Sequence, residues 1–446
     1  MRWRKGEGLS YVFSGLFWIG IYLALVMAPL LVLLLGPMPA GSGFWWDFSL
    51  ALGFAGTAMM GTLFVQTARF RRPSAPFGID IVYYFHRQSA LVAFAFILLH
   101  PLLLLAREPT LWSLFRPGLA PGHLWAGVAS LAGLFLLLIS SLWRKPLGID
   151  YDRWRLGHAV LAVLTLGLAI AHIVGVGHYV ATPWTKILWG AISLSWLLLL
   201  VTVRLIRPAM LLRRPYRVTG VSAERGDAWT LRVAPEGHDG FNFLPGQFAW
   251  ISLGASPFAL KEHPFSIASS AAKTGELHFT IKELGDFTRR IKEVEIGTPV
   301  YVDGPYGCFS PDRQPAGSYV FVAGGIGIAP IMSMLRTLAD RGDRRPLLLF
   351  YAYNTWDRTT FREELEMLRE RLDLQVVFIL NDPPLDWQGE VGLLTKELLG
   401  HHVPPPLAAA EYFICGPVAM IHLAEKYLHE LGVPLGQLHS ELFDLV

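Results

Sequence analysis

The chain has 446 residues, 53% of them hydrophobic and 16% charged, with a formal net charge of +3. Soluble globular proteins carry about 25% charged residues, so this balance excludes an ordinary soluble enzyme. The small net charge, with no long basic run, excludes a nucleic-acid partner. The two cysteines, Cys308 and Cys415, exclude a disulfide framework.

Six apolar segments come first, at about 11–36, 46–67, 81–106, 121–143, 156–177 and 184–206. Each is near the roughly 20 residues that cross a bilayer. The basic start MRWRKGEGLS precedes a run from Tyr11 to Leu35, too long for a signal-peptide core and read as the first span. Alternate loops hold Arg2, Arg4, Lys5, then Arg69, Arg71, Arg72, then Arg144, Lys145, Arg153, Arg155, then Arg204, Arg207, Arg213, Arg214. The other loops hold only Arg107, Arg116 and Lys186. Positive charge marks the cytoplasmic side. The expectation is six spans with both termini in the cytoplasm.

Two of these segments contain a stretch bounded by histidines: HRQSALVAFAFILLH from His86 to His100, and HAVLAVLTLGLAIAH from His158 to His172. On a helix a separation of 14 residues turns through about 1400°, close to four turns, so both rings share one face about 21 Å apart. Both segments run outward, which pairs His86 with His158 near the inner leaflet and His100 with His172 near the outer. An ionisable group inside a span is a functional hypothesis by default. Zinc wants four ligands in a closed site; two neutral imidazoles suit the axial positions of haem iron. Ala90, Ala93, Ala95, Ala159, Ala162 and Thr165 leave room for a planar ligand. The alternative for each histidine is a helix-packing or interfacial residue. His178 lies near the outer surface, as a solvated residue or one that handles the acceptor or a proton. Arg87 beside His86 meets a haem propionate or adds one more cytoplasmic-side charge.

After Pro215 the pattern changes to short alternating runs broken by Gly and Pro, such as AWTLRVAP and LPGQFAWISLG, which is strand chemistry. From about 318, strands alternate with helical patterns, the mark of a parallel α/β sheet. The expected organisation is a six-helix transmembrane domain at 1–210, an antiparallel β-barrel at 216–312 and an α/β nucleotide-binding domain at 317–446. HPFS at 263–266 offers an aromatic and a hydroxyl to a planar heterocycle. IKELGDFTRRI joins a strand to a helix whose first turn holds Asp286 and Thr288. Free amides there favour a pyrophosphate, though Thr288 reads equally as a plain helix cap. VAGGIGIAP at 322–330 is a strand, a glycine turn and a proline suited to a first helical turn. Its spacing differs from G-x-G-x-x-G. With CGP at 415–417 it makes a crevice over strand ends where nucleotides bind. Read alone, Cys415 is as well explained as a buried small residue.

Taken together, the His pairs, HPFS, the Ile281–Thr288 stretch, GPYG at 304–307, GGIGIAP and CGP resemble the NADPH oxidase and ferric reductase superfamily, over about residues 50–446. The resemblance implies two b-type haems, FAD, and NADPH or NADH as donor. It implies His86, His100, His158 and His172 as iron ligands. It gives His263, Pro264, Phe265 and Ser266 to the flavin ring, with Ser266 near its reactive nitrogen. Lys282, Gly285, Asp286, Phe287 and Thr288 go to the FAD pyrophosphate. Gly304, Pro305, Tyr306 and Gly307, with Gly324, Gly325, Gly327 and Pro330, receive the dinucleotide. Cys415, Gly416 and Pro417 set nicotinamide over flavin, and Phe443 covers the flavin until nicotinamide displaces it. Arg358 lies where the family reads the ribose 2′ group and is expected to meet a 2′-phosphate, which favours NADPH over NADH.

The implied function is a bacterial inner-membrane oxidase passing electrons from cytosolic NAD(P)H through FAD and two haems to dioxygen outside, giving superoxide. No obligatory regulatory subunit is expected. A ferric-chelate reductase is the near alternative, and an electron-supply subunit for a periplasmic partner a third. A haem-free transporter needs ionisable groups at mid-membrane, whereas these histidines sit toward the two leaflets.

Overall fold

The computed structural model describes residues 7–33, 41, 43–68, 79–115, 120–254, 256–258, 261–403, 405 and 409–442. The chain divides into two compact units, one built on Leu9–Pro73 and Ile81–Arg207, the other on Pro208–Val446 with two short N-terminal pieces.

The first unit is helical: α1 (Glu7–Leu33), α2 (Phe44–Thr67), α3 (Ile79–Arg107), α4 (Gly122–Leu142), α5 (Tyr151–Val176) and α6 (Pro183–Val201), which continues through a wider turn into α7 (Arg207–Leu212). Among the described residues, five helices are long and apolar enough to span a membrane: Phe44–Thr67, Ile81–Arg107, Gly122–Leu142, Tyr151–Val176 and Pro183–Leu212. The first expected span contributes a shorter apolar stretch, Gly15–Leu31. The helix starts carry their signals. Asp150 caps α5 by accepting from Arg153 N at 3.1 Å, and Thr182 caps α6 ahead of Pro183. Of the α2 window, 56% is buried, against 11–17% for the other four, so α2 is the inner helix of the unit. Small residues bring α4 against α5, where Ser130 donates to the Thr165 carbonyl at 2.8 Å and Gly133 faces the Thr165 side chain. Thr165 is thus used in helix packing, as is Ala93, whose carbonyl lies against Gly56. Neither is left to line an open space.

The second unit opens with β1 (Tyr216–Glu224), β2 (Ala228–Pro235), β3 (Phe248–Leu253), β4 (His263–Ser266), β5 (Leu277–Lys282), the short α8 (Asp286–Arg289) and β6 (Pro299–Tyr306). These strands form one antiparallel sheet in the order β4-β3-β6-β1-β2-β5 over a core of Val218, Leu231, Ile251, Phe279 and Val300. The expected barrel is a half-barrel, because its edges meet through a single bridge, Ile267 to Phe279, and not through a ladder. The cause is local. Edge strand β4 has only four residues, and Pro264 among them has no N–H to give a further strand.

A second, parallel sheet follows, with β7 (Ser318–Gly324), α9 (Ile328–Asp340), β8 (Leu347–Tyr353), α10 (Arg362–Arg369), β9 (Leu374–Leu380), β10 (Glu390–Val391), α11 (Lys396–His402), β11 (Ala410–Gly416), α12 (Val418–Glu430) and β12 (Leu438–Leu442). Its order is β10-β9-β8-β7-β11-β12, with an apolar core on each face. The order reverses between β7 and β11, and such a switch point opens a crevice at the strand ends. Helix α9 ties the two sheets together. Ser333 donates to the Ser269 carbonyl at 2.7 Å, Arg336 to the Ala268 carbonyl at 2.6 Å, and Thr337 Oγ1 accepts from Ala271 N at 2.8 Å.

Candidate functional site

In the helical unit, α3 and α5 bring the histidines together in the expected pairs. The rings of His100 and His172 lie with centroids 6.4 Å apart and planes at 65°. His100 Nδ1 is 2.9 Å from the Ser49 carbonyl on α2, and His172 Nδ1 is 2.9 Å from the His123 carbonyl on α4. A carbonyl only accepts, so both Nδ1 atoms carry the proton and both Nε2 atoms keep a lone pair. His100 and His172, each with Nε2 free to give a lone pair, are the residues that would hold a haem iron at this end, and the group would supply single-electron transfer there.

The other pair is held differently. His86 and His158 lie within electrostatic reach of each other. Ser141 donates to the Leu137 carbonyl at 2.6 Å and so accepts from His158 Nδ1 at 3.2 Å, while Trp154 packs on the His158 ring at 5.1 Å. The His86 ring has a backbone interaction with Leu63, yet its Nδ1 is buried and meets no hydrogen-bond partner among the described residues. Among those residues no three His, Cys, Asp or Glu side chains gather as a metal site; two imidazoles would be enough to hold a haem iron. Arg87 is exposed, and the buried Nε2 of His178 has no partner among the described residues.

In the second unit His263, Pro264, Phe265 and Ser266 are β4 itself, paired in register with Ile251, Trp250, Ala249 and Phe248 of β3. Phe287 stacks on His263 at 3.9 Å and parallel to Phe265 at 6.0 Å, which builds an aromatic wall beside the strand. Ser266 is buried, and its Oγ finds no partner among the described residues. A buried hydroxyl left unpaired is costly, so this strand fits a ligand edge that supplies the missing bond. Thr288 accepts from Leu284 N at 2.8 Å and Gly285 N at 2.9 Å, closing the turn that holds Asp286 and Phe287. Thr288 thus caps this turn. Lys282 Nζ stands 5.6 Å from the Tyr353 ring centroid, and Arg358 pairs with Asp227.

The glycine turn and CGP meet at the switch point. A Cβ on Gly327 would stand 2.2 Å from the Cys415 carbonyl, so only glycine permits this approach. Gly416 faces Gly324 and Pro417 covers it, with Gly325 at φ +54° and Pro330 in the first turn of α9. Cys415 is fully buried; burial pushes its thiol well above the ordinary value, and the Glu441 carboxylate adds to the rise. Glu441 pairs in register with Cys415 and also reaches the Gly307 end of the GPYG segment. Gln247 donates to the Gly307 carbonyl at 2.9 Å, Gly304 packs on Ala249, and Tyr306 donates to Asp303 at 2.9 Å. Pro305 lies between them on β6. Phe443 lies outside the described residues.

Sequence reasoning missed Glu441, Ser49, His123 and Ser141. Glu441 had a local signal, since it alternates with Phe443 at the chain end. The other three act through pairings between helices, which no spacing reveals.

Three family models match in chain order: a ferric reductase like transmembrane component at 52–169, an FAD-binding domain at 217–310 and an oxidoreductase NAD-binding domain at 321–426. The chain is similar to the reductase component of propane 2-monooxygenase from Rhodococcus jostii (strain RHA1), 29% identical over 240 residues, 51% of this chain and 62% of that protein. It is similar to NADH-cytochrome b5 reductase 1 from Debaryomyces hansenii, 33% identical over 168 residues, 36% of this chain and 59% of that protein. The chain thus spans about three-fifths of the length of these relatives. Among solved structures, the FAD/NAD-binding domain of nitric oxide dioxygenase from Vibrio cholerae O1 biovar El Tor is 20% identical, with a TM-score of 0.46 over 51% of this chain and 97% of that one.

Proposed function

The chain belongs to the NADPH oxidase and ferric reductase superfamily, all three of whose modules it matches, and on that premise we propose that it carries electrons from cytosolic NAD(P)H across a bacterial inner membrane to dioxygen, giving superoxide. When bound, FAD would supply hydride acceptance and two b-type haems would supply single-electron transfer. Transmembrane NAD(P)H-dependent electron transfer is the coarse function that the matched domains carry; the haems and the acceptor are our reading.

The observation that carries this reading is the 6.4 Å spacing of His100 and His172 with both Nδ1 atoms held by carbonyls. Those carbonyls orient the rings and raise their basicity as ligands. His86 and His158 serve as the inner pair. Ser266 donates to the flavin edge, and His263, Pro264, Phe265 and Phe287 hold its ring. Lys282 and the Gly285–Thr288 turn receive the pyrophosphate. Gly304–Gly307, Gly324–Pro330 and Cys415–Pro417 receive the dinucleotide, the neutral Cys415 thiol keeping charge out of the nicotinamide contact. Phe443 shields the flavin in the resting enzyme. Residues 1–210 span the membrane six times with both termini in the cytoplasm, 216–312 bind FAD and 317–446 bind NAD(P)H.

The test is purified protein supplied with NADH or NADPH, following oxygen uptake and superoxide with and without ferric chelate. Superoxide that accounts for the NAD(P)H consumed supports the reading. Ferric reduction that proceeds without oxygen and outruns oxygen uptake replaces dioxygen with ferric iron as acceptor.

A further inference from the structure

A doubly wound nucleotide fold reads the ribose just beyond the end of its second strand, where an acid takes a 2′-hydroxyl or a nearby arginine takes a 2′-phosphate. Here that strand is β8. Its end lies beside the glycine turn, with Ala352 paired to Gly324 and the Tyr351 hydroxyl donating to the Gly325 carbonyl at 3.3 Å. The segment after it, residues 354–361, leads into α10.

Four arginines stand in or against this segment, and each has a carboxylate. Arg225 pairs with Glu363 at 2.7 Å and Arg358 pairs with Asp227. Arg362 pairs with Glu363 at 3.0 Å and lies over the Trp356 ring. Arg336 holds Glu364 through two nitrogens, both at 2.6 Å. Two of these pairs come from the β1–β2 hairpin of the other sheet. That hairpin is pinned in place: Thr360 donates to the Arg225 carbonyl at 2.9 Å and the Tyr353 hydroxyl to the Gly226 carbonyl at 3.4 Å. Gly226 has φ +75°, and a Cβ there would lie 1.9 Å from the Tyr353 hydroxyl, so no other residue brings the hairpin this close. Asp227 follows at φ 57°. A further cation, Lys282, lies over the Tyr353 ring.

We propose that Asp227 selects NADH over NADPH. It neutralises Arg358 and sets a carboxylate at the ribose end of the site, while the neighbouring guanidiniums are occupied. Arg358 and Asp227 are about half exposed (51% and 61%), so their attraction alone is weak. The selection comes from the encounter between Asp227 and a phosphate carrying close to two charges. A 2′-hydroxyl meets no such repulsion and finds an acceptor. This inference rests on the reading of the crevice as a nicotinamide dinucleotide site.

The test uses the full chain in detergent and measures, by calorimetry, the affinities for ADP-ribose and 2′-phospho-ADP-ribose. ADP-ribose should bind at least about tenfold tighter, the scale of one like-charge encounter. Asp227→Asn should lower that ratio about tenfold by improving the phosphorylated ligand. Asn accepts the left-handed backbone as Asp does, so the variant keeps the hairpin. Adding Arg358→Ala to Asp227→Asn should restore the ratio, because it removes the freed guanidinium. A wild-type chain that binds the phosphorylated ligand equally well or better overturns the proposal. So does a ratio indifferent to Asp227→Asn, or one that Lys282→Gln abolishes instead. Flavin content is read on the same samples. The expected ratio in a protein that retains no flavin supports the selectivity and overturns the proposed electron transfer, so the two failures are distinct.

Discussion

His100 and His172 face each other from α3 and α5 at 6.4 Å, each pinned through Nδ1 by a backbone carbonyl of a third or fourth helix. Backbone carbonyls orient both rings, and the Ser49 hydroxyl, 3.1 Å from His100 Nδ1 and donating to the His100 carbonyl at 2.9 Å, adds a side-chain hold on His100. Replacing either histidine should show in the haem count. A pyridine haemochrome assay should give about two haems per chain and about one in His100→Ala or His172→Ala, with flavin content kept. One haem or none in the wild type sinks the assignment.

Ser266 offers a buried hydroxyl with no partner among the described residues. Ser266→Ala should retain flavin, since the aromatic wall and the turn at Gly285–Thr288 are untouched. Flavin reduction by NAD(P)H should slow by about ten- to a hundredfold, the worth of one hydrogen bond to a group gaining charge. Stopped-flow bleaching of the flavin absorbance measures it, and an unchanged rate makes Ser266 a packing residue.

Gly327 brings the glycine turn against Cys415. Gly327→Ala forces a Cβ to within 2.2 Å of the Cys415 carbonyl, and backbone must move on one side. The cost should be about 1–3 kcal/mol of stability, seen as a lower Tm, together with weaker nicotinamide nucleotide binding. Loss of stability with unchanged nucleotide affinity would separate the turn from the binding crevice.

The Arg225 guanidinium beside Glu363 holds its carboxyl down from 4.5 to about 2. A carboxyl depressed in the folded state adds stability above its unfolded value and loses it as pH falls toward the folded one. The contact should therefore persist at neutral pH and weaken between about pH 4.5 and 2. Glu363 is largely exposed, so the contribution is small. Glu363→Gln should flatten this part of the stability profile, read as the unfolding midpoint against pH. An identical slope in the variant means that other carboxylates set it.

Phe443 follows β12, which runs beside β11 and sets Glu441 opposite Cys415. An aromatic over the flavin must leave before hydride transfer, which needs reacting atoms about 3–3.5 Å apart. Phe443→Ala should tighten binding of the oxidised nucleotides and strengthen long-wavelength charge-transfer absorbance. Turnover should fall as product leaves more slowly. Unchanged affinity and spectrum would mean that the cap is another residue.

Much of this was legible in the sequence, and for definite physical reasons. Hydrophobic runs near 20 residues, a spacing of 14 between histidines, and glycine and proline at strand ends are local properties, fixed by helix pitch and by backbone sterics. They foretold apolar helices, the pairing of His100 with His172, and a parallel sheet in which Gly324–Gly327 meet Cys415–Pro417. What depends on meetings between distant segments was not legible. The carbonyls of Ser49 and His123 that orient the imidazoles lie on helices with no marker for the task. Barrel closure depended on whether β4 could ladder with β5, and a four-residue edge strand holding Pro264 left only a bridge. Arg358 stands alone along the chain; the hairpin that brings Asp227 to it is more than a hundred residues upstream, and only the docking of one sheet on the other decided that a carboxylate meets it.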